Sequence, residues 1–254
     1  MEGIRLVIFD VGGVFRDSSE AINEGFRRGF SSRGLAYPFT AQDVWHLRGI
    51  GKYNESISAV EALVALAKKG QPLGPLLRRP DAEQVLDRLV EDTLTPPDRE
   101  TARAIRGEYR AYFNSPEARG RITVFPYAKD AVASLKRKGY TLALFTNTSV
   151  VTVKRDLEQV GPGHFSLIVS EEDVQHKKPS GEGIVKILRS LHIPPEKAVY
   201  VGDSMVDIQA ARDAGVGSVA VLSGMGLRIH LEKERPDYLF KNILEMSEKL
   251  PLIS

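Results

Sequence analysis

The sequence predicts an α/β protein, a parallel sheet covered by helices on both faces, with an all-helical insert near its start. Three observations predict it. From residue 121 onward, short apolar runs alternate with amphipathic stretches, the pattern of successive strand-helix units. Between Ser18 and Gly120 helical periodicity dominates and strand signal almost disappears. The apolar run Ile4-Arg5-Leu6-Val7-Ile8-Phe9 stops at Asp10 and enters the turn Val11-Gly12-Gly13-Val14, as a buried strand does on reaching the carboxyl edge of a sheet. With 254 residues the chain is near the size at which one hydrophobic core stops growing and a second separates. The expected division is a core of residues 1–17 and 121–254 and a helical domain of residues 18–120.

In order, the first strand ends at Asp10. The insert carries helical periodicity over 20–34, 40–47, 54–69, 81–94 and 98–113. Gly70, Pro72, Pro75, Pro80 and Pro96-Pro97 punctuate it, and Thr40 with Asp43 forms a capping pair. The core then resumes with a strand over 121–125, a helix over 128–138 and a strand over 141–145. A helix over 149–159, a strand over 167–170 and a helix over 181–191 follow. Last come a strand over 198–201, a helix over 206–214 and a strand over 218–222.

Composition narrows the chemistry. Thirty-five basic against 33 acidic side chains give a formal charge of +2, too small a field to draw the chain to nucleic acid or to an acidic membrane. Cysteine is absent, which excludes disulfides, thiolate catalysis and thiolate metal sites. A metal would be held by oxygen or histidine. His46, His164, His176, His192 and His230 lack metal-ligand spacing and read as surface or packing residues. No apolar run reaches membrane-spanning length, and Met1-Glu2-Gly3 does not begin a basic leader, so the chain is expected to be cytoplasmic. Sparse Asn and Gln and a charged fraction of 27% resemble thermophilic proteins.

The polar residues at strand ends point to a site. Val199-Tyr200-Val201-Gly202-Asp203-Ser204-Met205-Val206-Asp207 repeats the device seen at Asp10, an apolar run ending in glycine and carboxylate. In a right-handed parallel sheet Asp10, Thr146-Asn147 and Asp203 leave the same carboxyl edge. Paired carboxylates such as Asp10 and Asp203 call for a cation, and an all-oxygen set suits Mg²⁺, which commonly also touches phosphate. Thr146 offers a hydroxyl, Asn147 an amide, the helix that follows offers free N–H groups, and Lys178 offers a point charge. Taken singly, each feature has a plainer reading. Gly12-Gly13 can be only a tight turn, Thr146-Asn147 or Asp203 with Asp207 a helix cap, and Lys178 beside Lys177 a solvated charge.

Together, Asp10-Val11-Gly12-Gly13-Val14, Phe145-Thr146-Asn147, Lys178-Pro179 and Gly202-Asp203-Ser204-Met205-Val206-Asp207 resemble the four ordered motifs of the haloacid dehalogenase superfamily. The resemblance covers residues 1–17 and about 121–225 and is strongest to the phosphoglycolate-phosphatase-like branch. It implies a Rossmann-like parallel core with an inserted helical cap. It further implies a Mg²⁺-dependent phosphatase acting on a small phosphorylated metabolite, with no nucleic-acid or membrane partner. Asp10 would attack phosphorus, and Thr146, Asn147 and Lys178 would hold the phosphate. Asp10, the Gly12 carbonyl and Asp203 would hold the metal, with Asp207 close by through water or hydrogen bonds.

One position departs from that pattern. Where most phosphatases of the family carry a second Asp, which protonates the leaving oxygen, this chain has Gly12. General acid–base catalysis is worth about 10² to 10⁴ in rate, or roughly 3 to 5 kcal/mol of barrier. Hydrolysis is therefore expected to depend on the leaving group, with aryl phosphates and sugar 1-phosphates cut better than alkyl phosphates. A 2-haloacid dehalogenase, using Asp10 on carbon without metal, and a non-catalytic phospholigand-binding protein are the alternatives. In the insert, Leu47-Arg48-Gly49-Ile50-Gly51-Lys52 resembles a cap specificity loop, with Arg48 and Lys52 as substrate-selecting candidates; an ordinary exposed loop is the plainer reading.

Overall fold

The structure, a computed structural model, describes residues 3–158 and 160–250. The described residues fold as two compact units, one within residues 1–17, 124–224 and 234–254, the other of residues 18–123 and 225–233.

The first unit is built on a six-stranded sheet. In chain order its strands are β1 (Leu6–Phe9), then, after the short β2 (Arg16–Asp17) and β3 (Thr123–Val124), β4 (Thr141–Phe145), β5 (Leu167–Val169), β6 (Ala198–Gly202), β7 (Gly217–Val221) and β8 (Tyr238–Phe240). The spatial order is β5-β4-β1-β6-β7-β8, and neighbouring strands run parallel throughout. β1 lies in the middle, with Leu6 opposite both Thr141 and Ala198. A central strand of a parallel sheet has no solvent face, which is why Leu6, Val7, Ile8 and Phe9 are all fully buried.

Successive residues of each strand feed opposite layers. Val7, Phe9, Leu142, Leu144, Val199 and Val201 join one core layer with side chains of the helices Ala128–Arg137 and Ile243–Lys249. Leu6, Ile8, Ala143, Phe145, Ala198 and Tyr200 join the other, with side chains of Glu182–Leu191 and Met205–Asp213. The switch between β1's two neighbours, β4 and β6, lies at the sheet centre, where open α/β sheets bind ligands beyond the strand ends.

Several elements differ from the sequence expectation. The strand expected over 121–125 contracts to Thr123–Val124 and pairs with β2, outside the main sheet. Pro126 follows it, and Arg121 and Thr123 are exposed, so little apolar surface draws it inward. β8 has no counterpart in the sequence expectation: three residues long, it is anchored by Asp237, whose Oδ2 accepts from the amide (2.7 Å) and hydroxyl (2.8 Å) of Ser218. The helix expected to reach Gln159 runs over Val150–Asp156; Gln159 lies outside the described residues.

The second unit is helical, comprising Ser19–Ser31, Ala41–Leu47, Ser56–Lys69, Leu73–Leu77, Ala82–Thr93, Pro96–Phe113, Pro116–Arg119 and Arg228–Lys233. Pro96 and Pro97 begin a helix rather than merely interrupting one. A first helical turn needs no amide donors, and Thr95 with Asp98 closes the capping box. Residues 225–233, assigned from sequence to the core, belong to this unit. His46 Nδ1 meets the Met225 carbonyl at 2.9 Å, and the buried His230 Nε2 meets the Leu77 carbonyl at 2.7 Å. Among the described residues no helix is long and apolar enough to cross a membrane.

Candidate active site

Asp10 is the first residue beyond β1, Thr146 the first beyond β4, and Asp203 the first beyond β6. Because these strands are adjacent, parallel and in register, their carboxyl ends bring the three residues to one edge of the sheet. Asp10, Thr146, Lys178, Asp203 and Asp207 are all buried. One carboxylate oxygen from each of Asp10, Asp203 and Asp207 lies within 4.8 Å of the others.

Lys178 spans part of this cluster. Its Nζ is 2.8 Å from Asp10 Oδ1 and 2.7 Å from Asp207 Oδ1. Burial alone would lower the lysine pKa, but the Asp10 and Asp207 charges more than offset it and hold the ammonium well above its usual range. Burial raises the Asp10 carboxyl above the ordinary aspartate value, Lys178 opposes that rise and Asp207 adds to it. The Lys178 backbone is fixed by Asn147, whose Oδ1 accepts from the Lys178 amide (3.1 Å) and whose Nδ2 donates to its carbonyl (3.4 Å). Asn147, expected from sequence at the phosphate, thus has both ends of its amide on Lys178.

Asp207 is held just as firmly. Its Oδ2 accepts from the amides of Asp203 (3.2 Å) and Ser204 (3.0 Å) and from the Ser204 hydroxyl (2.5 Å). Ser204 and Asp207 form the capping box of Met205–Asp213, so the helix-cap reading of Asp207 and its place in the acidic cluster are both realised. The Tyr200 hydroxyl donates to the Phe145 carbonyl at 2.8 Å and lies 3.4 Å from Asp207 Oδ1. Sequence reasoning misses Tyr200 and Ser204. The Ser-x-x-Asp spacing is the available sign for Ser204, whereas Tyr200 looks like any other inward strand residue.

The glycines make the site compact. A Cβ on Gly13 would fall 2.0 Å from Asp203 Oδ2, and one on Gly224 would fall 2.0 Å from the same atom. Backbone from two distant points of the sequence therefore lies close against the Asp203 carboxylate. Gly13 has φ +67°, where only glycine is free of strain. At Thr146-Asn147 the helix does not begin at once. Ser149 caps Val150–Asp156, and the Val150 amide donates to Glu172 Oε2 at 3.1 Å, so the first amide of that helix has an internal acceptor.

Arg48 and Lys52 belong to the helical unit. The Arg48 guanidinium donates through Nε to the Asn54 carbonyl (2.9 Å), and Asn54 Nδ2 donates back to the Arg48 carbonyl (3.0 Å). Lys52 pairs with Asp87 at 2.9 Å, and its amide donates to Glu83 Oε1 at 3.1 Å. The 48–54 segment is thereby fastened to the helix Ala82–Thr93. Trp45, beside it, is buried within this unit.

Buried hard-oxygen donors thus gather beyond the strand ends at the centre of a parallel α/β sheet, with a lysine between two of them. Comparison with known proteins specifies the family. Residues 4–215 match the haloacid dehalogenase-like hydrolase family, and the chain belongs to it. It is 31% identical to phosphoglycolate phosphatase of Escherichia coli (strain K12) over 164 residues, 64% of either chain. It is also 31% identical to phosphoglycolate phosphatase of Salmonella typhimurium over 157 residues, 61% of this chain and 62% of that one. The chain thus spans less than two thirds of the length of these relatives. Among solved structures it resembles a candidate phosphoglycolate phosphatase from Lactobacillus delbrueckii subsp. bulgaricus, with a TM-score of 0.73, 21% identity and 98% of both chains covered. A haloacid dehalogenase-like family hydrolase from Streptococcus pneumoniae gives 0.64, at 21% identity over 97% of this chain and 98% of that one. At such identities the likeness establishes the fold.

Proposed function

We propose that this chain is a Mg²⁺-dependent phosphoric monoester hydrolase acting on a small phosphorylated metabolite, with Asp10 as nucleophile. The observation that carries the reading is the Lys178 bridge, 2.8 Å from Asp10 and 2.7 Å from Asp207, inside a group of three buried carboxylates. A lysine so placed neutralises charge around Asp10 while leaving the carboxylate to act. Phosphoglycolate phosphatase activity in relatives 31% identical supports the same class.

The donor set fits magnesium. Asp10, the Gly12 carbonyl and Asp203 would hold the ion, with Asp207 placed through water, since its oxygens already accept from Lys178, Ser204 and the Asp203 amide. When bound, the ion supplies charge neutralisation for the substrate phosphoryl group. A carboxylate oxygen of Asp10 attacks phosphorus, the P–O bond to the leaving group breaks, and an aspartyl phosphate forms. Lys178 and Thr146 steady the phosphoryl oxygens, and Asn147 acts by holding the Lys178 backbone. Water then attacks phosphorus, releasing phosphate and restoring the Asp10 carboxylate. The leaving oxygen takes its proton from water, because Gly12 has no acid to offer.

The test is phosphate release from an aryl phosphate, a sugar 1-phosphate and 2-phosphoglycolate, with and without Mg²⁺, beside Asp10→Asn. Activity that requires both metal and Asp10 and falls with leaving-group basicity is the expected result. Metal-independent halide release from a 2-haloacid would replace this reading with the dehalogenase. Substrate choice is assigned to Arg48 and Lys52, and a substrate panel on Arg48→Ala and Lys52→Ala tests that assignment.

A further inference from the structure

The turn after β1 contains two successive glycines, and glycine is the residue least able to hold a turn by itself. The Asp10–Gly13 segment must nevertheless keep one conformation, since Gly13 lies directly against Asp203. Backbone bonds supply part of the restraint: Gly13 N donates to the Arg16 carbonyl (2.8 Å) and Phe15 N to the Val11 carbonyl (3.0 Å). The Gly13 carbonyl is held by a side chain 210 positions further along the chain. The Ser223 hydroxyl, just past β7, donates to it at 2.7 Å.

A serine hydroxyl has one proton, and that of Ser223 goes to a carbonyl that can only accept. The next residue, Gly224, closes on Asp203 Oδ2. The same two residues, Ser223 and Gly224, thus fasten the turn that follows Asp10 and pack against the carboxylate that follows β6.

Resting on the metal site proposed above, we infer that Ser223 is a positioning residue: its hydrogen bond to the Gly13 carbonyl fixes the glycine turn and so sets the separation of the Asp10 and Asp203 ligands. It touches none of the reacting atoms and acts through the backbone.

The test is Mg²⁺ affinity by titration calorimetry on the folded protein, with turnover and melting temperature measured alongside, for Ser223→Ala and Ser223→Thr. A single hydrogen bond contributes roughly a 2- to 13-fold effect. Ser223→Ala is expected to weaken Mg²⁺ binding by about 10-fold and to lower kcat, and Ser223→Thr to restore both. A Ser223→Ala protein that binds Mg²⁺ like the wild type would overturn the inference while leaving the proposed function intact. A wild type that binds no Mg²⁺ would overturn the metal site and this inference with it. A merely structural serine would lower the melting temperature without changing Mg²⁺ affinity.

Discussion

Replacing Gly13 with alanine should disable the site, and a second glycine shows how much of the loss is local. Gly13 and Gly215 have nearly the same backbone, φ +67° and +71°. An alanine in that region costs roughly 1–2 kcal/mol. At Gly215 the new methyl meets nothing within 4 Å, so the backbone cost is the whole effect. For a protein of this size that is a fall of about 2–8 °C in melting temperature. At Gly13 the methyl would lie 2.0 Å from Asp203 Oδ2 and 2.8 Å from the Gly224 Cα. Carbon contacts settle at roughly 3.5–4.0 Å, so the Asp203 carboxylate must retreat by more than about 1 Å, with Gly224 also close against it. Magnesium requires oxygen ligands near about 2.0–2.1 Å in strict octahedral array, and misplacing a reacting group by about 1 Å costs on the order of 10²-fold in rate. The assay compares Gly13→Ala with Gly215→Ala by thermal melting, Mg²⁺ titration and turnover. Both should melt lower, and only Gly13→Ala should lose metal affinity and about 10²-fold or more in kcat. A Gly13→Ala protein that binds Mg²⁺ and turns over within about twofold of Gly215→Ala would refute the close approach to Asp203 as a determinant of the site, a threshold well inside the tenfold that corresponds to about 1.36 kcal/mol.

Asn147→Ala should leave metal affinity near wild type but lower kcat, because it frees the Lys178 backbone without touching a carboxylate ligand; unchanged kcat with Asn147→Ala would remove Asn147 from the mechanism. Gly12→Asp should accelerate alkyl phosphates by about 10-fold or more and aryl phosphates little, measured as the slope of rate against leaving-group pKa. Arg27 and Arg28 hold the Glu24 carboxyl down at about 2, mainly by hydrogen bonds from Arg27. Its contribution to the helical unit is therefore complete above the ordinary value of 4.5 and is lost as pH falls toward 2, so the melting difference between wild type and Glu24→Gln should be present at neutral pH and close in acid. Burial lowers the His230 pKa below 6.5, so the unfolded chain takes up the proton first and stability should decline as pH drops below that value. His230→Gln should flatten that decline in a pH series of melting curves.

Strand-helix alternation over 121–222 and the wholly apolar Leu6-Val7-Ile8-Phe9 are sufficient to specify a parallel sheet, because a strand buried on both faces has no solvent side and reads as a continuous apolar run rather than an alternating one. The strand-end positions of Asp10, Thr146 and Asp203 are legible for the same reason, since an apolar run must stop where the sheet does. What the alternation does not convey is contact between residues far apart in the chain. Asn147 grips the backbone of Lys178, 31 positions away, and Ser223 grips that of Gly13, 210 positions away. Residues 225–233 follow a core strand in sequence yet belong to the helical unit, through His46 at Met225 and His230 at Leu77. Periodicity reports which face of an element is buried, and that is a local property. Which partner a buried polar group finds is settled only when the chain closes on itself, because leaving such a group unpaired costs more than any local preference can return.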